Sequence, residues 1–254
     1  MHVLKLWYER TKTALRALVY PNRCIGCGVQ TDGAPSVPFC AACMTQVRQA
    51  RAYRCPECEK PLMQCRCVRL GAAELPLYSL FAYHPKTEND AVSRLLLSRK
   101  TRLQPAVEDF LAGQLSALCA CAAAECSGEA DDWILTYPPR SQKKRREVGH
   151  DQSEELAKRI SRLTGIPMTV CLERVRGADI AQKTLGARER TENAQDSYGL
   201  SAHFADDIRG KRVMLIDDIA TTGATLSACA AILSEAGADS VIAVTLARTV
   251  HEQI

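Results

Sequence analysis

The segment from Val213 to Thr225 constrains this chain most. Val213-Met214-Leu215-Ile216 runs directly into Asp217-Asp218, and Ile219-Ala220 leads on to Thr221-Thr222-Gly223-Ala224-Thr225. An unbroken apolar run of this length predicts a strand buried on both faces, as in a parallel sheet, that ends in the two adjacent carboxylates. Leu226, Ala230 and Leu233 then recur at helical spacing. Strand, turn and helix in this order belong to an open α/β sheet, which binds ligands at the carboxyl ends of its strands. The Thr-rich turn offers backbone N–H groups, three hydroxyls and the positive end of a helix, a setting suited to a phosphate. Two adjacent carboxylates beside it would repel a second phosphate but match a pair of vicinal hydroxyls. The unit is therefore expected to clamp a ribose 5-phosphate. The plainer alternative is an ordinary polar turn, which needs neither the acid pair nor so many threonines.

The rest of the C-terminal part supports an α/β fold. Leu77–Tyr83 reads as a strand, followed by helices over Asn89–Lys100 and about Leu103–Ala124 and a strand at Trp133–Tyr137. A basic loop follows, then a helix over about Gln152–Thr164, in which Asp151 and Glu154 have capping-box spacing. A strand near Met168–Leu172, a long polar segment, the Asp-Asp strand with its helix, and a strand at Val241–Ala247 complete the order. Strands alternating with helices predict a central parallel sheet flanked by helices.

Cysteines dominate the other end. Of thirteen, eight fall in Cys24-x2-Cys27, Cys40-x2-Cys43, Cys55-x2-Cys58 and Cys65-x-Cys67. A Cys-x2-Cys turn brings two thiolates to one Zn²⁺, and two turns close a tetrahedral structural site. The simplest partition is one zinc on Cys24, Cys27, Cys40 and Cys43 and another on Cys55, Cys58, Cys65 and Cys67. Spacing alone leaves an interleaved pairing open. A disulfide framework would require an oxidising compartment, yet Lys5, Glu9, Arg10, Lys12 and Arg16 interrupt any signal-peptide h-region. A cytoplasmic location is expected. Cys119, Cys121, Cys126, Cys171 and Cys229 read as core residues.

Charge divides the chain similarly. Residues 1–70 carry a balance of +7 and the remainder −3. Two four-thiolate zinc sites, formally −2 each, would leave the front module at about +3. A modest positive face is compatible with nucleic-acid contact and also with simple solvation. No run approaches the ~18 apolar residues of a membrane span. Phe110–Ala124 and Ile219–Ser234 contain Gln, Ser or Thr and read as buried helices. Residues 1–19 have an amphipathic helical pattern, and Pro21 ends it before the first cysteine pair. The domain boundary is placed near Leu70–Pro76, giving a module at 1–70 and an α/β domain at 75–254.

Two polar segments complete the candidate site. After the Trp133–Tyr137 strand comes Pro138-Pro139-Arg140, and five cations fall between Arg140 and Arg146. At a strand's carboxyl end they suit a pyrophosphate, with Arg as a bidentate grip and Lys as a point charge. The stretch Arg174–Tyr198 is long for a connection and carries Gln182, Leu185, Arg188, Arg190 and Asn193. It is expected to act as a lid that excludes water from an anionic ligand.

The Asp-Asp strand and its Thr/Gly turn resemble the signature of type I phosphoribosyltransferases, which bind phosphoribosyl pyrophosphate (PRPP). The resemblance implies that Asp217 and Asp218 hold the ribose 2′ and 3′ hydroxyls. Thr221, Thr222, Gly223 and Thr225 would hold the 5′-phosphate. Purine-salvage members usually begin this turn with Asp near the purine; Thr221 stands there, which argues against purine salvage. With cysteine module, basic loop, lid and signature in this order, the whole chain resembles the ComF competence-protein family. That implies a type I phosphoribosyltransferase fold behind a double zinc ribbon. The usual Arg-Gly-Phe-Asn-Gln of that family is here Val148-Gly149-His150-Asp151-Gln152, so Gly149 and Gln152 match and the Arg is absent. Its role is expected to pass to Arg140 or Arg146, with Pro139 and the matching Lys100 also on the pyrophosphate. Gln182, Leu185, Arg190 and Asn193 match the lid.

The chemistry implied is Mg²⁺-assisted displacement of pyrophosphate from ribose C1, with Asp217, Asp218 and Arg140 as its principal residues. Its alternatives are a sensor of PRPP or nucleotide that works through single-stranded DNA or a partner in the uptake machinery, and a zinc-dependent scaffold.

Overall fold

The computed structural model describes residues 23–31, 37–65, 67, 69–70, 74–85, 90–126, 132–175, 197–201 and 204–250. The N-terminal helical pattern of residues 1–19 and the lid residues Gln182, Leu185, Arg188, Arg190 and Asn193 lie outside them.

The elements are α1 (Ala41–Arg51), β1 (Arg69–Leu70), β2 (Leu75–Tyr83), α2 (Ala91–Thr101), α3 (Pro105–Glu125), β3 (Trp133–Thr136) and α4 (Gln142–Val148). They continue as α5 (Gln152–Thr164), β4 (Leu172–Arg174), β5 (Tyr198–Leu200), α6 (Ala205–Ile208), β6 (Arg212–Ala220), α7 (Ala224–Glu235) and β7 (Ser240–Thr249). Five strands form one sheet in the order β1-β2-β7-β6-β3. β2, β7, β6 and β3 are parallel, and β1 is antiparallel to β2. β4 and β5 make a separate two-stranded antiparallel sheet.

The period of two along β6 sorts its side chains onto opposite faces. Met214 and Ile216 pack with Leu111, Leu115, Leu156 and Ile160 of α3 and α5. Val213 and Leu215 pack with Leu226, Ala230 and Leu233 of α7. The sheet is thus covered by helices on both faces, as its apolar strands require. The cysteine-rich segment joins the first of these cores: Cys24, Phe39, Cys43 and Val47 pack with Leu80, Leu95 and Leu111.

Several local expectations are corrected. β6 does not end at the acids; it continues to Ala220, because β7 pairs with it as far as Ala220 opposite Arg248. Ile219–Ser234 is consequently the end of a strand, a turn and most of α7, not one helix. The basic loop contains α4, capped by Ser141, whose hydroxyl accepts from Lys144 N, and closed by left-handed Gly149. Near 168–172 there is an isolated bridge from Met168 to Leu135, and β4 itself begins only at Leu172. Asp151 caps α5 by accepting from Ser153 N and Glu154 N, while Glu154 pairs outward with Arg145 and Lys158. Cys119, Cys171 and Cys229 are buried, but Cys121 is exposed and Cys126 only half-buried.

Among the described residues, α3 alone is long and apolar enough to cross a membrane. It serves here as a core helix: Val107, Leu111, Leu115, Leu118, Cys119 and Ala122 are buried in the protein.

Candidate functional site

The eight N-terminal cysteines fall into two groups, Cys24/Cys27/Cys40/Cys43 and Cys55/Cys58/Cys65/Cys67, with the sulfurs of each group within 4.8 Å of one another. The simple partition is the one formed. Cys27 Sγ and Cys40 Sγ are 3.7 Å apart. A tetrahedron of sulfurs with Zn–S of about 2.3 Å has edges of about 3.8 Å, so the donor set fits Zn²⁺. Each group is built from tight backbone turns. In the first, the Cys24 amide donates to Val29 O, and that of Gly28 to Cys24 O. Gly26 cannot carry a side chain, since a Cβ there would lie 2.8 Å from Cys43 Sγ. Burial opposes ionisation of Cys24, but N–H groups of Cys40, Cys27 and Gly26 outweigh it and hold the thiol down to about 6. Cys55 is likewise held to about 7, against burial, by Cys58 and Glu57 N–H groups and by Cys65 and Arg248. Cys24 and Cys55 are thus predisposed to the thiolate form that zinc requires, while the thiols of Cys27, Cys43 and Cys67 are pushed up, with neighbouring cysteines among the causes in each case.

The second constellation lies at the carboxyl edge of the sheet. Because β3 and β6 are parallel neighbours, with Thr136 opposite Leu215, the loop after β3 lies beside Asp217 and Asp218. A cleft of about 530 Å³ opens there. Its lining includes the expected Lys100, Pro139, Arg140, Asp217, Asp218, Thr221 and Thr225. Arg146 does not line it; that residue is exposed on α4. Thr222 and Gly223 are not part of the lining either, but they shape the turn. Gly223 has φ +75°, and an added Cβ would lie 2.5 Å from Leu70 Cδ2. The start of α7 follows directly, and its first N–H, that of Ala224, donates to Thr222 Oγ1 at 3.4 Å.

Arg140 is fixed from several sides. Its backbone N–H donates to Asp151 Oδ2 at 2.8 Å, its guanidinium donates to Gln152 Oε1, and Nη2 lies 3.8 Å from Asp218 Oδ2. Asp217 Oδ1 accepts from Ser153 Oγ at 2.8 Å and from Asp218 N at 2.8 Å. Burial, followed by the neighbouring Asp218 charge, pushes the Asp217 carboxyl up to about 8. Near neutral pH Asp217 is therefore largely protonated. Two adjacent carboxyl groups can bind a pair of neighbouring hydroxyls.

Of the five loop cations, Lys144 joins Arg140 in the lining, and sequence reasoning missed three further lining residues, Ser153, Arg174 and Tyr198. Arg174 Nη1 donates to Tyr198 Oη at 2.9 Å, and its guanidinium lies 4.9 Å from the centre of the Tyr198 ring. This pair ties β4 to β5 at the two ends of the long polar segment, the positions from which a lid would hang. It missed a buried brace as well. Arg99 and Glu108 are 1% and 0% exposed and form a bidentate pair, Nε–Oε1 2.8 Å and Nη2–Oε2 2.9 Å. Arg99 Nη2 also donates to Gln152 O at 3.2 Å. A continuous chain thus runs from Glu108 through Arg99 and Gln152 to Arg140. Arg99 adjoins Lys100, the residue that the family resemblance singled out.

A family model for the phosphoribosyl transferase domain matches residues 151–253. The chain is 28% identical over 218 residues to the "DNA utilization protein YhgH" of Salmonella typhimurium, covering 83% of this chain and 90% of that protein. It is 30% identical over 101 residues to "Competence protein F" of Haemophilus influenzae, covering 39% of this chain and 43% of that one. Among solved structures, it is similar to a phosphoribosylpyrophosphate synthetase from Mycobacterium smegmatis, at 19% identity and a TM-score of 0.34 over 54% of this chain and 33% of that one. A phosphoribosyl transferase domain match over residues 151–253, a parallel sheet with helices on both faces, two four-cysteine clusters in front and the likeness to these two relatives together support a ComF-like family and a type I phosphoribosyltransferase fold.

Proposed function

We propose that this chain binds PRPP and transfers its phosphoribosyl group, displacing pyrophosphate from ribose C1. The observation that carries this reading is one cleft holding the acid pair Asp217–Asp218, the cations Arg140, Lys144 and Lys100, and the hydroxyls of Thr221 and Thr225. Thr221, Thr222, Gly223 and Thr225, with the first N–H groups of α7, bind the 5′-phosphate. Asp217 and Asp218 orient the 2′ and 3′ hydroxyls. Pro139 places Arg140 against the pyrophosphate, and Arg140 exchanges its contact with Asp218 for phosphate oxygens as they arrive. Fixed cations aimed at the leaving group lower the barrier because charge builds there as the C1–O bond breaks. Mg²⁺ bound with PRPP supplies further neutralisation of the pyrophosphate. Gln182, Arg190 and Asn193 close over the ligand and keep water from competing with the acceptor.

Both four-cysteine groups are structural zinc sites in this reading. The printed names of the relatives, a DNA utilization protein and a competence protein, support placing this activity with the handling of DNA, and the cytoplasm is its site of action in this reading. A PRPP or nucleotide sensor coupled to single-stranded DNA uses the same cleft without turnover. Incubation of the zinc-loaded full chain with Mg²⁺-PRPP and a panel of bases, amines and ammonia separates the two. Acceptor-dependent pyrophosphate release is expected; tight PRPP binding without release for any acceptor would overturn transferase activity in favour of the sensor.

A further inference from the structure

A second, smaller pocket lies beside the cleft, and Thr221 lines both. It sits between the second cysteine cluster and the carboxyl ends of β6 and β7, with a volume of about 160 Å³. Tyr53 and Pro56 come from the cysteine module, Leu70 and Leu77 from β1 and β2, and Arg248 and Thr249 from the end of β7. We propose that this pocket is the acceptor subsite and that it takes an uncharged, single-ring nitrogen heterocycle of pyrimidine size. The proposal rests on the PRPP-transfer reading above.

Size is the first argument. A cavity of roughly 150 Å³ lined by apolar groups accommodates benzene, so a volume of about 160 Å³ is matched by one six-membered ring more closely than by a fused pair. Shape and polarity are the second. Leu70, Leu77 and Tyr53 supply apolar and aromatic surface for a planar ring. Arg248 is only 5% exposed, and its Nη1 lies 3.6 Å from Cys65 Sγ. A guanidinium carries five N–H donors, so donors remain for a ring carbonyl. Thr249 Oγ1 is buried without a hydrogen-bond partner among the described residues. Charge is the third argument. Arg248 is already matched to a cluster that is formally −2 with zinc, and Glu57 also lines the pocket. The surroundings remain negative, so a ring bearing a carboxylate is disfavoured relative to a neutral one.

The position fits the chemistry. With ribose held at Asp217–Asp218 and phosphate at the turn that begins with Thr221, a ring in this pocket adjoins the sugar. The ring nitrogen's lone pair forms the new N–C1 bond, the C1–O bond breaks with its electrons leaving on pyrophosphate, and the ring N–H proton passes to that pyrophosphate. The second zinc cluster thereby becomes one wall of a substrate site.

The test begins with calorimetric binding of Mg²⁺-PRPP to the zinc-loaded full chain. Uracil, cytosine, hypoxanthine and orotate are then titrated into the PRPP-saturated protein. Uracil or cytosine should bind at least tenfold tighter than hypoxanthine and orotate. Tyr53→Ala and Thr249→Val, each checked for wild-type zinc content and folding, should weaken that binding at least fivefold. If PRPP binds but hypoxanthine or orotate binds as well as the neutral single rings, the subsite assignment is overturned while PRPP binding stands. The same holds if neither neutral ring binds, or if both folded variants retain wild-type ring affinity. If PRPP itself does not bind, the transfer reading fails first and this assignment falls with it.

Discussion

Removing the Glu108 carboxylate should be among the most damaging single changes in the molecule. Glu108 and Arg99 are 0% and 1% exposed, and both guanidinium–carboxylate contacts are short, at 2.8 and 2.9 Å. Glu108→Ala leaves a buried cation without its counter-charge, and breaking such a pair costs about 3–5 kcal/mol. For a chain of this size about 1 kcal/mol corresponds to about 2–4 °C, so the melting temperature should fall by roughly 6–20 °C. The double variant Arg99→Met, Glu108→Leu removes both charges and keeps apolar volume, and such exchanges are often neutral or better. It should be more stable than Glu108→Ala. It should nevertheless bind Mg²⁺-PRPP less tightly than wild type, because Arg99 Nη2 no longer holds Gln152 O, and Gln152 Oε1 is a support of Arg140. Urea denaturation and calorimetric titration of the single and double variants supply the two readouts. A loss below about 1 kcal/mol in Glu108→Ala, or a double variant less stable than that single one, would refute the brace.

Other consequences are simpler to test. Asp217 has its carboxyl raised from 3.8 to about 8, so between those values the folded state holds more protons than the unfolded state and stability falls as pH rises. Asp217→Asn removes that penalty, so its melting temperature should exceed wild type at pH 8.5, with the gap closing towards pH 4; equal gaps at both pH values would contradict the assignment. Metal analysis should find two zinc per chain, reduced by about one in Cys24→Ser and unchanged in Cys119→Ser. Stripping zinc with a chelator should also weaken PRPP binding, since Leu70 packs on Gly223 and Arg248 contacts Cys65. Retention of full PRPP affinity by the metal-free protein would show that the two parts are uncoupled.

The parts of this protein that the sequence makes legible are those in which one local signal has one physical meaning. Val213–Ile216 is apolar without alternation because β6 lies inside a parallel sheet, and Cys-x2-Cys turns are tight because two sulfurs must meet one metal. Gln152–Thr164 announces itself through Asp151 and its amphipathic spacing. The strand end at Ala220 is not legible locally, because Asp217 pairs with Thr245 and Ile219 with Ala247 of β7, which carries the strand past both acids. α4 has no buried residue and therefore no apolar period; only Ser141 and Gly149 mark its ends. Arg99 and Glu108 look like surface residues on two helices, and their burial depends on how α2, α3 and the start of α5 pack. Ser153, Arg174 and Tyr198 reach the cleft from three different elements, so no linear motif contains them.

The most direct test of the central claim is calorimetric titration of Mg²⁺-PRPP into the zinc-loaded chain at pH 7, with Asp217→Asn and Asp218→Asn measured alongside it. A hydrogen bond to a charged group contributes about 1.5–3 kcal/mol, so Asp218→Asn should weaken binding by roughly ten- to a hundredfold. Asp217→Asn should cost less at this pH, because the carboxyl it replaces is largely neutral. Saturable 1:1 binding by wild type with that order of losses is the expected result; no binding by wild type, or wild-type affinity in a folded double variant, would contradict the account.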